Sequence, residues 1–376
     1  MLRRNLMAIG VLGLLALPAA VPAQAVTVQA GAVPAQAVTV QAGAAGSNPW
    51  LAMRVMNMAH AGGENEAPLN TLYAFKRAAR LGADMIELDV HATRDNQLVV
   101  IHNATVDQTT NGTGRVRDYD LKQLRKLDAA YNFVPGRSAV PGLPDESYPL
   151  RGIRTEHRPP PDGYQADDFA IPTLRDVLAA FPDIPVNIEI KGTSDTDIES
   201  FLHHARLLAE LLNRLGRTDV IVTSFNDLAV ATFHQLAPQI SLAPGLTGIA
   251  NYWLAGVRPI EGTVALQIPV RFNGVQIATP EFIARAHRDG YAVHVWFSGS
   301  AVEDAALYNE LVDMCADALM PAWPTLFESI LDERGIVRPG QPGTDPCAPD
   351  HKTRVDGAMG AVPLIRARMR GSAPIG

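Results

Sequence analysis

The segment Asp84-Met85-Ile86-Glu87-Leu88-Asp89-Val90 restricts this chain more than any other. Its alternation reads as a β-strand with Glu87 and Asp89 on one face and Ile86, Leu88 and Val90 on the other. Two neighbouring carboxylates repel each other and are costly to desolvate unless positive charge lies between them, and a hard divalent cation is the usual solution. A half-exposed strand with a solvated acidic face is the alternative. The flanking sequence favours the cation. Met53 to His60 reads as a short strand ending in a histidine, followed by the turn Ala61-Gly62-Gly63, and Gln97 to Asn103 ends a third strand in His102. A lone strand-end histidine is usually structural, whereas two beside an acidic pair within one supersecondary unit point to a site.

From Met53 onward strands alternate with helical patterns. Leu72, Phe75, Ala78, Ala79 and Leu81 form an apolar helical stripe between the first strand and the acidic one, which makes a β-α-β unit with a parallel pair. The link from Val90 to Leu98 is too short for another crossover, so Leu98 to His102 is expected to fold back as a hairpin arm that delivers His102 toward Glu87 and Asp89. Between about 131 and 168 the prolines Pro135, Pro141, Pro144, Pro149 and Pro159-Pro160-Pro161 exclude a long helix or central strand. This insertion reads either as a cap facing the substrate or as a surface excursion. The pattern resumes with a helix from Thr173 to Phe181 and a strand from Val186 to Lys191, in which Asn187, Glu189 and Lys191 share a face. Counting strands near Val55, Ile86, Ile188, Ile221, Leu242, Val275, Val295 and Leu319 gives the eight that close a (β/α)8 TIM barrel, with a doubly wound open sheet as the alternative. The barrel domain is expected to span 51–334, with a loosely ordered tail over 335–376.

The first residues stand apart. Arg3 and Arg4 precede an apolar run from Leu6 to Leu17, then Pro18 and Ala23-Gln24-Ala25, the pattern of an export signal over 1–25. Val21 to Ala44 repeats one segment twice, so a second cleavage motif at Ala35-Gln36-Ala37 would put cleavage as late as 37, and 26–50 reads as a low-complexity linker. The apolar run is too short for a membrane span, so a secreted or cell-envelope protein with no transmembrane segment is expected. A net charge of −7 gives no basic footprint for nucleic acid. Export permits a bond between the two cysteines, Cys315 and Cys347, while burial of Cys315 beside a strand is the competing reading.

The run His60…Asn70-Thr71-Leu72-Tyr73-Ala74-Phe75…Gly82-Ala83-Asp84-Met85-Ile86-Glu87-Leu88-Asp89-Val90…Leu98-Val99-Val100-Ile101-His102-Asn103…Thr109-Thr110-Asn111-Gly112-Thr113-Gly114 resembles the glycerophosphodiester phosphodiesterase family. So do Ile171-Pro172-Thr173-Leu174 and Asn187-Ile188-Glu189-Ile190-Lys191, and the likeness extends from about Met53 to Glu328. It implies a TIM barrel acting on a small-molecule phosphodiester, with Glu87, Asp89 and Glu189 holding one divalent cation, Mg2+ or Ca2+. Zinc is disfavoured because no cysteine accompanies these carboxylates. Lys191 is expected to hold the phosphoryl group, or to form an ion pair with Glu189, or both. His60 and His102 are expected to act as acid and base, with a neighbouring hydroxyl attacking first to give a cyclic phosphate. Trp296, sharing a face with His294 and Ser298, is expected either to pack against substrate or to fill the barrel.

Three positions depart from the family pattern. Ala61 stands where arginine usually follows the first histidine, Leu69 where glutamate precedes Asn-Thr, and Asn103 where aspartate follows the second histidine. Arg54 or the proline-rich insertion could replace the arginine, Glu64 or Glu66 the glutamate, and Asn103 keeps hydrogen-bonding capacity without the charge. Two other functions are therefore carried forward: a phospholipase acting on lysophospholipid, sphingolipid or phosphoinositide head groups, and a surface protein that binds phosphodiesters with weakened catalysis.

Overall fold

The computed structural model describes residues 48–297 and 302–348. The expected export signal, both cleavage motifs, the tandem repeat and Ser298 lie outside the described residues.

Eight parallel strands form the centre: β1 (Met56–Ala59), β2 (Met85–Ala92), β3 (Val186–Ile190), β4 (Val220–Thr223), β5 (Ser241–Leu242), β6 (Ala265–Pro269), β7 (Ala292–Trp296) and β8 (Ala318–Met320). They pair in the order β5-β4-β3-β2-β1-β8-β7-β6. The ring is drawn together between β5 and β6 by a parallel bridge from Leu242 to Thr263, with Leu242 N–H donating to the Gly262 carbonyl at 3.0 Å and Val264 N–H to the Leu242 carbonyl at 2.9 Å. This nearly closed cylinder with a helix after each strand is the TIM barrel that the sequence predicts. The helices are α1 (Leu72–Leu81), α2 (Leu174–Ala180), α3 (Ile198–Leu215), α4 (Asp227–Leu236), α5 (Leu246–Ala255), α6 (Pro280–Arg288), α7 (Ala305–Asp313) and α8 (Pro324–Glu333).

Local chemistry fixes the element boundaries. Thr71 caps α1, its hydroxyl accepting from Ala74 N–H, and Gly82 ends the helix at φ 105°, a left-handed conformation that glycine adopts without a Cβ penalty. Ala74, Phe75 and Ala78 form the buried stripe of that helix. Apolar residues of the strands pack outward against the helices in two large clusters, one around β2 to β5 and the other around β6 to β8. The lower barrel interior is filled by Met56, Met58, Met85, Ile221 and a ring of alanines. Above it the inward positions turn polar: Gln267 Nε2 donates to Asn187 Oδ1 at 2.6 Å, and His294 is completely buried, as an inner-layer residue should be.

The hairpin arm is present. Leu98–Val100 runs antiparallel to β2, with Val90 opposite Val100 and Ala92 opposite Leu98. The insertion is ordered without long elements. Phe133–Val134 and Ser138–Ala139 form a small antiparallel pair, and the Arg151 guanidinium lies 3.9 Å from the Tyr131 ring centre and 3.6 Å from that of Tyr148.

Two expectations need correction. Val275 is not in a barrel strand: Val275–Gln276 pairs only with Arg271–Phe272, across a turn in which Asn273 and Gly274 take φ values of 48° and 83°. The sixth barrel strand is the preceding Ala265–Pro269, where the proline is tolerated as the last residue. Residues 335–348 also do not form a loose tail. Ile336, Val337 and Arg338 are buried, Val55 N–H donates to the Val337 carbonyl at 3.1 Å, and Arg338 pairs with Glu328 and Asp84. Further along, Cys347 is disulfide-bonded to Cys315. The glycines and prolines of this segment bend it against the barrel, and its apolar and charged side chains hold it there.

Candidate active site

At the C-terminal end of the barrel the register of β2 against β3 places Asp89 opposite Glu189. Glu87, Asp89 and Glu189 each offer an oxygen within 4.8 Å of the others. Each carboxylate has a protein partner. Ala61 N–H donates to Glu87 Oε2 at 2.8 Å, Asn70 Nδ2 donates to Asp89 Oδ2 at 2.8 Å, and Lys191 Nζ bridges Glu189 at 2.8 Å and Asp89 at 3.1 Å. Both expected roles of Lys191 are compatible with this position. Burial is the largest influence on Glu87, and with Asp89 and Glu189 it pushes that carboxyl up to about 8 against the pull of His60 and the Ala61 N–H. Burial also raises Glu189. Asp89 goes the other way: burial opposes its charge, but Lys191, His102 and Asn70 hold it well below the usual range. The all-oxygen donor set, more acidic than one lysine can neutralise, fits a hard divalent cation.

The two histidines reach this cluster from different elements. His60 follows β1 and enters the turn at Ala61 to Gly63. Gly62 there has φ 87°, and a Cβ would stand 2.7 Å from that of Ala74. His60 Nδ1 lies 2.9 Å from Glu64 Oε1, and its Nε2 lies 3.9 Å from Glu87 Oε2. Burial works against its protonated form, yet Glu64 and Glu87 raise it to about 10. His102, at the end of the hairpin arm, is exposed to the site mouth, and its Nδ1 lies 2.7 Å from Asn103 Oδ1. An amide oxygen can only accept, which puts a proton on Nδ1.

A further pair of histidines supports the chain behind the site. His91 Nε2 is 3.1 Å from the His102 carbonyl. His204 Nδ1 is 2.6 Å from the Lys191 carbonyl while its Nε2 accepts from Ala92 N–H. Burial holds both rings neutral, with His91 near 3. His204 is therefore a buried brace.

His60, Glu87, His102, Glu189 and Lys191 form the floor of one cavity of about 720 Å³. Trp296 lines it and meets Phe225 edge to face at 5.6 Å between ring centres, so both expected roles are compatible with its position. The remaining wall comes from the segments after β4, β5 and β6, including α5 and the 271–276 hairpin. The proline-rich insertion does not line the cavity. It touches the site indirectly, through Gly136 N–H to the Asn65 carbonyl at 2.7 Å and Ser138 Oγ to Glu64 at 3.4 Å.

The departures resolve unequally. Arg54 cannot replace the missing arginine, because it is buried against Asp345 at 3.1 Å and donates to the Ala316 carbonyl at 2.9 Å. Glu66 is held by Arg77 and Thr325. Glu64 does enter the site, as the partner of His60. Asn70 belongs to the Asn70-Thr71 motif and has no role assignable from the sequence alone. Its signal was the fixed position between a turn and a capping threonine, and in the structure it adopts φ 58° and binds Asp89.

The model of the Glycerophosphoryl diester phosphodiesterase family matches residues 60–317. The chain is 32% identical over 251 residues to a glycerophosphodiester phosphodiesterase of Caldanaerobacter subterraneus subsp. tengcongensis, covering 65% of this chain and 86% of that protein. It is 30% identical over 287 residues to one of Bacillus subtilis, covering 74% and 86%. Among solved structures it is similar to a glycerophosphodiester phosphodiesterase from Agrobacterium tumefaciens, with TM-score 0.52, 24% identity and coverage of 73% and 99%. An Oleispira antarctica phosphodiesterase in complex with the product sn-glycerol-3-phosphate matches with TM-score 0.55, 20% identity and coverage of 74% and 97%. At these identities the two structures bear on the fold.

Proposed function

Because the chain belongs to the glycerophosphoryl diester phosphodiesterase family, we propose that it is an exported, divalent-cation-dependent hydrolase that cleaves glycerophosphodiesters to glycerol 3-phosphate and an alcohol. The observation that carries this reading is the meeting of His60, His102 and Lys191 with the acidic cluster on one cavity floor. Glu87, Asp89 and Glu189 would hold magnesium or calcium, which when bound supplies neutralisation of charge on the phosphoryl oxygens.

The chain's own residues divide the remaining work. Lys191, fixed between two carboxylates, offers its ammonium to a phosphoryl oxygen. His102, oriented by the contact of Nδ1 with the Asn103 amide oxygen, takes the proton of the glycerol hydroxyl beside the phosphate at Nε2. That oxygen bonds to phosphorus to give a cyclic phosphate. His60, whose Nδ1 faces a carboxylate that favours the imidazolium, donates its Nε2 proton to the departing alkoxide. Water then opens the ring with the two roles exchanged. Ala61 contributes its backbone N–H to Glu87, and its side chain offers the phosphate no guanidinium.

Two features support export: the leader-like pattern of Arg3, Arg4 and the apolar run, and the bridge between Cys315 and Cys347. The test is glycerophosphocholine hydrolysis by His60→Ala, by His102→Ala and by wild type after chelation. Losses of about 100-fold or more are expected in each case, with unchanged circular dichroism. Full activity in either single variant refutes the assignment.

A further inference from the structure

The two imidazoles of the site have unlike partners. His102 Nδ1 faces the amide oxygen of Asn103 at 2.7 Å, whereas His60 Nδ1 faces the carboxylate of Glu64 at 2.9 Å. The loop that carries Glu64 is fastened from two sides. Asn65 N–H donates to the Ala322 carbonyl at 3.2 Å, the Asn65 carbonyl accepts from Gly136 N–H at 2.7 Å, and Glu66 N–H donates to the Gly63 carbonyl at 2.9 Å. Ser138 Oγ donates to the second oxygen of Glu64 at 3.4 Å. Gly136 and Ser138 belong to the small hairpin of the proline-rich insertion, in which Phe133 lies opposite Ala139 and Val134 opposite Ser138. Ser138 takes φ 57° there, a left-handed conformation uncommon outside glycine. An insertion that does not line the cavity therefore grips the one carboxylate that holds His60 from behind.

We propose that Glu64 is a positioning residue for His60, and that the insertion hairpin serves catalysis by keeping Glu64 in place. This rests on the acid role given to His60 above and deepens it. A charge-assisted hydrogen bond from Nδ1 to Glu64 fixes the ring more firmly than an amide oxygen can, and leaves Nε2 facing the cavity floor. As the bond from phosphorus to the alcohol oxygen breaks, its electron pair stays on that oxygen, which takes the Nε2 proton. Glu64 remains a carboxylate throughout. A basic alkoxide such as that of choline needs this proton to depart, whereas nitrophenolate leaves as a stable anion without it. Dependence on Glu64 should accordingly grow with the basicity of the leaving group.

The test compares kcat/KM for glycerophosphocholine and for the p-nitrophenyl ester of glycerol 3-phosphate, because kcat/KM covers the steps through departure of the first alcohol. Neither Glu64 nor Ser138 lines the cavity, whose apolar wall is carried by Leu246, Phe272 and Trp296 on the opposite flank, so exchanges at both leave the substrate's space unaltered. Glu64→Ala should lower kcat/KM for glycerophosphocholine at least about 30-fold and for the nitrophenyl ester no more than about threefold. Glu64→Gln, which keeps an acceptor for Nδ1–H, should recover part of that difference. Ser138→Asp sets a second carboxylate against Glu64 in a residue type that tolerates the left-handed backbone, and should produce the same selective loss, about fivefold or more. Melting curves and the retained nitrophenyl ester activity separate these losses from misfolding. Equal losses on the two substrates in Glu64→Ala, or none, overturn the role of Glu64, while a selective loss in His60→Ala keeps the proposed function standing. An unchanged ratio in Ser138→Asp overturns the role of the insertion. A loss in His60→Ala that is equal on both substrates removes the acid assignment and this inference with it.

Discussion

His294 predicts an acid-side stability loss that one substitution should remove. The ring is completely buried on β7, and neither nitrogen has a hydrogen-bond partner among the described residues. Burial, opposed only weakly by Asp317, lowers its pKa from 6.5 to about 4. In the unfolded chain the imidazole takes up a proton near pH 6.5. Between pH 6.5 and 4 the unfolded state therefore binds a proton that the folded state refuses, so stability falls as pH falls. The slope is about 1.4 kcal/mol per pH unit, accumulating to about 3 kcal/mol. Replacing His294 with methionine, the residue that already fills the lower interior at Met56, Met58 and Met85, removes both the titration and two unpaired nitrogens. At pH 7 His294→Met should be neutral or stabilising by about 1–3 kcal/mol. Urea unfolding at pH 7, 6, 5 and 4.5, with m-values compared, gives the difference between the two proteins and cancels titrations they share. Parallel loss of stability in wild type and variant would refute the reasoning.

Three more predictions concern the site and its surroundings. Asn103→Asp restores a carboxylate behind His102 and should move the acidic limb of the kcat/KM profile to higher pH by about one unit, because a base whose cationic form is favoured is freed later. An unmoved limb would mean that His102 is not the base. Lys191→Met should lower kcat/KM by roughly 100-fold while the far-ultraviolet spectrum stays unchanged, because the proposed mechanism sets the ammonium on the phosphoryl group as well as on Glu189. Cys347→Ser opens a loop spanning 32 residues in sequence, and should cost roughly 3–4 kcal/mol by chain entropy. A denaturation midpoint unaffected by the substitution would show that the packed segment around Arg338 holds without the bridge.

The β-α alternation and the acidic strand were legible because each is a local pattern with a fixed period. Glu87 and Asp89 share a face by alternation, and the short link to Leu98 forced the hairpin that carries His102. The sixth strand was harder, since Ala265–Pro269 ends in a proline and the β-branched Val275 nearby looked the better strand former. The 335 boundary failed for another reason: composition reports glycine and proline but not the ion pairs that Arg338 makes with Asp84 and Arg54 with Asp345, far away in sequence. The apolar wall was invisible for the same reason. Leu246, Phe272 and Trp296 face one space only once the ring is drawn together between Leu242 and Thr263.

The division of that cavity between the two sides of the barrel has an evolutionary consequence. Every side chain assigned to bond cleavage comes from β1 to β3 or the hairpin between them, while the apolar wall is drawn from the segments that follow β4 to β6 and from β7. Insertions or substitutions in the later loops can therefore retune which molecules enter without disturbing the groups that break the bond.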